Sequence, residues 1–150
     1  MKKILYSIGI LSYWSLVISI PISFAQESNI DAEISAIQAV LEMQTQAMNK
    51  MSYDMQADIW AHTPYVERWG TTGWEAISQH YKTLFSEQSG FEVIEFKVSN
   101  FDIHVNGTFA SVFHDEYHKY RMRGEEITES TRVHKYLEKI DGQWKVIALL

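Results

Sequence analysis

The stretch Ser130-Thr131-Arg132-Val133-His134-Lys135-Tyr136-Leu137-Glu138-Lys139-Ile140-Asp141-Gly142-Gln143-Trp144-Lys145-Val146-Ile147-Ala148-Leu149-Leu150 decides the fold. Side chains alternate in character from Thr131 to Lys139, the period of a strand whose two faces meet different surroundings. Asp141-Gly142 then supplies two residues that tolerate positive φ, as a two-residue hairpin turn requires, and Trp144 opens a second strand. One face of the first strand carries Arg132, His134 and Tyr136. A guanidinium, an imidazole and a phenol in one row, on a strand that must also help to close a core, predict a polar-lined pocket.

Upstream, the turns repeat. Asn106-Gly107 and Arg123-Gly124 divide the preceding chain into long strands, Phe91 to Val105 and Thr108 to Met122. Before these the pattern is helical. Asn29 or Asp31 can cap a helix running to about Lys50, in which Ile30, Ile34, Ile37, Val40, Leu41, Gln44 and Met48 follow the three–four spacing of one buried face. Ser52 can cap a short helix from Tyr53 to Ala57. Ile59 to Arg68 favours extended chain interrupted at Pro64, and Trp69 to Gly73 reads as a turn. Thr72 then caps a third helix, Gly73 to about Phe85, with Trp74, Ile77, Tyr81 and Leu84 in one stripe. Helices first and a meander of strands afterwards predict an α+β fold: a cone-shaped, curved antiparallel sheet wrapped around the long N-terminal helix, with two further helices.

Residues 1–25 read as a signal peptide. Lys2 and Lys3 form a basic start, Ile4 to Ile20 is apolar and uncharged, and Ser23-Phe24-Ala25 offers a small-x-small cleavage site before Gln26. The apolar run is also long enough to span a bilayer as a retained anchor. The expectation is cleavage, export to the periplasm or the outside, and no stable membrane insertion afterwards. Residues 26–150 then form one domain. Removing 1–25 takes two of the 13 basic residues and none of the 19 acidic ones, leaving 11 against 19 and a net charge of −8. An acidic surface argues against nucleic acid as a partner. With no cysteine in the chain, disulfides cannot support the fold, so its core must.

The element order, with Gly73-Trp74-Glu75-Ala76-Ile77, Ala110 and Val112 after the Asn106-Gly107 turn, and Asp141-Gly142-Gln143-Trp144-Lys145-Val146, resembles the nuclear transport factor 2-like superfamily and its SnoaL-like members. The resemblance covers nearly all of residues 26–150. It implies a cone-shaped sheet enclosing a cavity, and pairing as a homodimer through the outer sheet face. It does not imply one function, because the superfamily holds cofactor-free isomerases, dehydratases and cyclases beside binding and assembly domains. No enzyme's catalytic set is matched.

The candidate site is therefore read from residue types. His114, Glu116 and His118 share a strand face with Ala110 and Val112, which should point inward. A bulge would reverse that face. By the resemblance, Arg132 and His134 lie on the inner row of the next strand, so that Glu116 could pair with Arg132 and orient an imidazole. His114, Glu116 and His134 are the candidates for acid–base work, and Tyr65 and Trp69 are expected near the cavity mouth. The bland alternatives are a solvated sheet rim for the first row and a satisfied buried network for the second. A metal held by His114, His118 and His134 is geometrically conceivable, but no metal and no cofactor are expected. The leading expectation is a small-organic-molecule-binding domain. A lyase or isomerase using a His–carboxylate pair, and a non-catalytic homodimeric assembly domain, are the alternatives.

Overall fold

The computed structural model describes residues 22–150, with side chains from Asn29 onward. The basic start and the whole Ile4 to Ile20 run of the expected signal peptide lie outside the described residues. Helix α1 spans Ile22–Asn49. It begins before the caps read at Asn29 and Asp31, because no glycine or proline interrupts the chain from Ile22 to Thr63. Ile37, Leu41, Gln44 and Met48 are buried, whereas Ile30 is exposed. Helix α2, Tyr53–Ile59, is capped by Ser52, whose hydroxyl accepts from the Met55 amide. Helix α3, Trp74–Leu84, starts after Gly73 with no side-chain cap, so the predicted Thr72 cap is not formed. Thr72 is instead in a strand.

Six strands follow the order β2-β1-β6-β5-β4-β3 in one curved sheet. They are β1 Glu67–Arg68, β2 Thr71–Thr72, β3 Phe91–Asn106, β4 Phe109–Met122, β5 Glu125–Ile140 and β6 Gln143–Leu149. A short 3₁₀ turn at Glu87–Ser89 leads into β3. The sheet is mixed rather than wholly antiparallel, since β1 runs parallel to β6. Arg123 and Asp141, with the glycines that follow them, all have positive φ, as tight hairpin turns demand. Irregularities in β3 at Val93/Glu95 and Ser99/Asp102, and one between β5 and β6 after Tyr136, bend the sheet.

Three polar anchors hold α1 against the concave face. Glu33 accepts from Lys139 Nζ at 2.6 Å and from the Trp144 indole at 2.7 Å. Asn49 both donates to and accepts from the backbone of Phe96, at 2.9 and 2.8 Å. Between them, Gln44 reaches into the sheet. The apolar core around these points includes Ile37, Leu41, Ile77, Phe96, Leu137 and Trp144.

Candidate functional site

Strand β4 turns Ala110, Val112, His114 and Glu116 inward, all buried, as their alternation predicts. Its neighbour does not follow the expected phase. In the β4–β5 ladder His114 lies opposite Val133 and Glu116 opposite Thr131, whereas Asp115 faces Arg132 and Phe113 faces His134. Directly opposite residues share a face. Val133, Lys135 and Leu137 are therefore the inner row, and Arg132, His134 and Tyr136 lie outside. Burying Val133 and Leu137 is worth roughly 1.5–3 kcal/mol each, which favours this phase over one that exposes both.

The outer row has its own partners. Arg132 donates to Asp115 at 2.9 Å and to the Asn100 carbonyl at 2.8 Å. His134 stacks on Phe113 with 3.9 Å between ring centroids and hydrogen-bonds Ser111 at 2.8 Å. The expected Glu116–Arg132 pair does not form. Nor can His134 complete a metal set with His114 and His118, and among the described residues no group of three His, Cys, Asp or Glu side chains is placed to hold an ion. Tyr65 is exposed and donates to Glu138 at 2.7 Å, away from the inner cluster.

Lys135 takes the place assigned to Arg132. It is only 1 % exposed. Its ammonium donates to Glu116 Oε1 at 2.5 Å, to Gln44 Oε1 at 2.7 Å and to His114 Nε2 at 3.0 Å. Three protons thus meet three acceptors. Gln44 Nε2 closes the cluster on Glu116 at 3.4 Å, and His118 Nε2 bonds the other carboxylate oxygen at 3.0 Å. Burial alone would raise the Glu116 pKa. The Lys135 charge and the hydrogen bonds from His118 and Lys135 outweigh burial and hold it at about 2. Burial lowers the Lys135 pKa more than Glu116 raises it, so the two partners lean in opposite directions. The full acceptor set around Nζ decides for an ionised pair. Burial, then the Lys135 cation, depress His114 to about 4. As a neutral ring accepting at Nε2, His114 carries its proton on Nδ1, a buried atom with no hydrogen-bond partner.

The sign of the resulting pH dependence follows. Between its ordinary value of 6.5 and about 4, His114 is protonated in the unfolded chain and neutral in the native one. Stability from this residue is therefore lost as pH falls through that window, by up to about 1.4 kcal/mol per pH unit. Glu116 adds a second loss below its ordinary 4.5, toward about 2. Urea unfolding of the wild type and His114→Gln, which keeps an acceptor for Lys135, should show the wild type losing ground steadily from pH 6.5 to 4.5. A constant difference would contradict burial of a neutral ring.

Glu116 and His118 also face a cavity of about 270 Å³. Met48, Leu84, Phe91, Met122 and Val133 give it apolar wall, Tyr120 an aromatic one, and Arg68, Trp69, Glu129 and Thr131 complete the lining. Trp69 is 55 % exposed and sits with Gly70 at positive φ in the β1–β2 turn. Of the expected pocket residues, the structure thus brings Trp69, Glu116 and His118 together, places His114 behind them, and removes Tyr65, Arg132 and His134. Sequence reasoning missed Lys135 and Arg68. The signal for Lys135 was present: Val133 and Leu137 flank it at strand spacing, and Gln44 occupies a core position on α1. Nothing in the short Glu67–Arg68 strand marks Arg68. Three larger depressions lack this join of an apolar wall with the Glu116–His118 pair. One of about 460 Å³ lies beside Trp144, one of about 710 Å³ beside His62 and Trp74, and one of about 370 Å³ is lined mostly by polar residues, among them Asp115, Ser130 and Arg132.

No protein-family model matches the chain, and no curated protein matches it. Solved structures do. A protein of unknown function from Mycobacterium tuberculosis shares 17 % identity over 81 % of this chain and 72 % of its own, with a TM-score of 0.68. An NTF2-like protein with a cystatin-like fold from Novosphingobium aromaticivorans shares 11 % over 88 % of each chain, at 0.65. A Catenulispora acidiphila structure in complex with S-DNPA shares 16 % over 80 % of this chain and 92 % of its own, at 0.63. With three helices and a curved six-stranded sheet in the order described, the chain has the fold of the nuclear transport factor 2-like proteins.

Proposed function

We propose that the chain is an exported domain that binds a small organic molecule in the cavity beneath Trp69. The observation that carries this reading is the junction of an apolar and aromatic wall with one convergent polar group, the Glu116–His118 pair. Recognition sites for small molecules have this composition: mostly apolar lining, with a few placed polar atoms that fix orientation. The volume is near the lower end of such sites, so the ligand is small. Pairing of two copies through the outer sheet face is part of the proposal. It is supported by exposed Phe109, Phe113 and Tyr136 on that face.

A second reading, a cofactor-free lyase or isomerase, is favoured by one feature. Glu116 is ionised and can only accept, so His118 donates from Nε2 and a neutral ring keeps a basic lone pair on Nδ1. A carboxylate-oriented imidazole beside a cavity is the arrangement that general-base chemistry uses. Native mass spectrometry of protein recovered from the exported fraction tests the proposal in one measurement. The expected result is a chain beginning near Gln26, present in two copies, each retaining a small molecule. A full-length, membrane-retained, ligand-free species would overturn it.

A further inference from the structure

Among the described residues, Arg68 is the one Lys or Arg that lines this cavity. Among the described residues it forms no salt bridge, and its only hydrogen bond runs from Nε to the Tyr81 hydroxyl at 3.1 Å. Its guanidinium carbon lies 4.2 Å from the centroid of the Trp69 ring and 5.1 Å from that of Tyr81. Tyr81 is buried in the core, so the guanidinium is fixed from one side by a rigid hydroxyl and flanked by two aromatic faces. A guanidinium has five N–H groups. The four on its terminal nitrogens are left without a protein acceptor among the described residues.

The acidic groups nearby do not meet this charge. Glu116 is occupied by Lys135, Gln44 and His118. Glu129, exposed at the rim, accepts from the Tyr120 hydroxyl at 3.1 Å. The Arg68 charge does reach inward: it adds to the burial that lowers the pKa of His80 and Lys135, and it opposes the burial that raises that of Tyr81. A cation held in place, with no carboxylate partner among the described residues, and set beside an apolar and aromatic wall is a receptor for a planar anion, since the guanidinium fork matches a carboxylate with two parallel bonds. The protein's net negative charge gives no long-range help in drawing in an anion, so the recognition is local.

Building on the binding reading above, we infer that the ligand is a small carboxylate with an apolar or aromatic body, its carboxylate clamped by Arg68 and its body lying among Phe91, Tyr120, Met122 and Val133. Glu116–His118 then faces the body or the atom next to the carboxylate. Arg68 serves as the specificity-determining residue.

The test compares 3-phenylpropionate, 3-phenylpropionamide and 3-phenylpropylamine by ligand-observed NMR titration on the purified chain. The carboxylate should bind at least roughly tenfold more tightly than the amide, the return expected for a charge-assisted fork, and the amine should bind worst. Arg68→Gln should remove the preference for carboxylate over amide, and Arg68→Lys should retain part of it. The carboxylate-to-amide ratio on the wild type needs no variant, so misfolding of a variant cannot hide the answer. Equal binding of carboxylate and amide, tighter binding of the amine, or an undiminished preference in Arg68→Gln would each overturn the clamp and leave the cavity reading standing. Failure of all three probes to bind would overturn the cavity reading and the clamp with it.

Discussion

Replacing Lys135 by Met should lower the unfolding free energy by roughly 3–5 kcal/mol, the largest loss expected from any single polar substitution here. The change strips three acceptors at once. Glu116 is left as a buried anion whose remaining partners are Gln44 and His118, and His114 Nε2 loses its donor. The effect does not come from the attraction between Lys135 and Glu116 alone, because removing two charges from water offsets much of that attraction. It comes from stranding one charge. Lys135→Met combined with Glu116→Leu should therefore cost clearly less than the sum of the single losses, and the double-mutant cycle measures this coupling. Chemical denaturation at pH 7 is sufficient. A loss under 1 kcal/mol in Lys135→Met would mean that its ammonium reaches water and that the inner row is misassigned.

Trp144→Ala should cost a similar amount, about 3–5 kcal/mol, for a different reason. The ring is 4 % exposed and packs where β6 meets α1, so its removal leaves a cavity. The substitution also takes from Glu33 one of the two donors, the Trp144 indole and Lys139, through which it ties α1 to the sheet. Trp144→Phe separates the two contributions. It keeps most of the apolar ring and loses only the indole hydrogen bond to the Glu33 carboxylate. Urea unfolding in which Trp144→Ala loses under 1 kcal/mol would contradict the placement of the final hairpin.

That hairpin was the most legible part of the sequence. Asp141-Gly142 has few alternatives to a tight turn, and Trp144 after it needs burial. The phase of β4 was legible too, because Ala110 and Val112 are small and apolar and pull His114 and Glu116 inward with them. The phase of β5 could have been read by the same logic. A two-residue turn at Arg123-Gly124 sets Met122 opposite Glu125, and counting back along both strands sets His114 opposite Val133. The row of Arg132, His134 and Tyr136 drew attention because its side chains carry chemistry. The row of Val133, Lys135 and Leu137 was buried because two of its three side chains are aliphatic and the third finds a full set of acceptors. Arg68 was hidden for another reason. Its strand is two residues long, and its position depends on the parallel pairing of β1 with β6, a non-local contact that no local pattern encodes. The position of the cavity mouth shares that dependence on packing.

The cavity beneath Trp69 carries the proposed binding, and it is smaller than three other depressions on the same molecule. Soaking crystals with a set of small aromatic carboxylates and amides, and solving the structures by X-ray diffraction, compares all four directly. The expected result is fragment density between Phe91, Tyr120 and Trp69, with a polar atom within hydrogen-bond reach of His118 or Arg68. Density confined to the groove beside Trp144, the cleft beside His62 and Trp74 or the depression beside Arg132, with the cavity beneath Trp69 filled only by solvent, would contradict it.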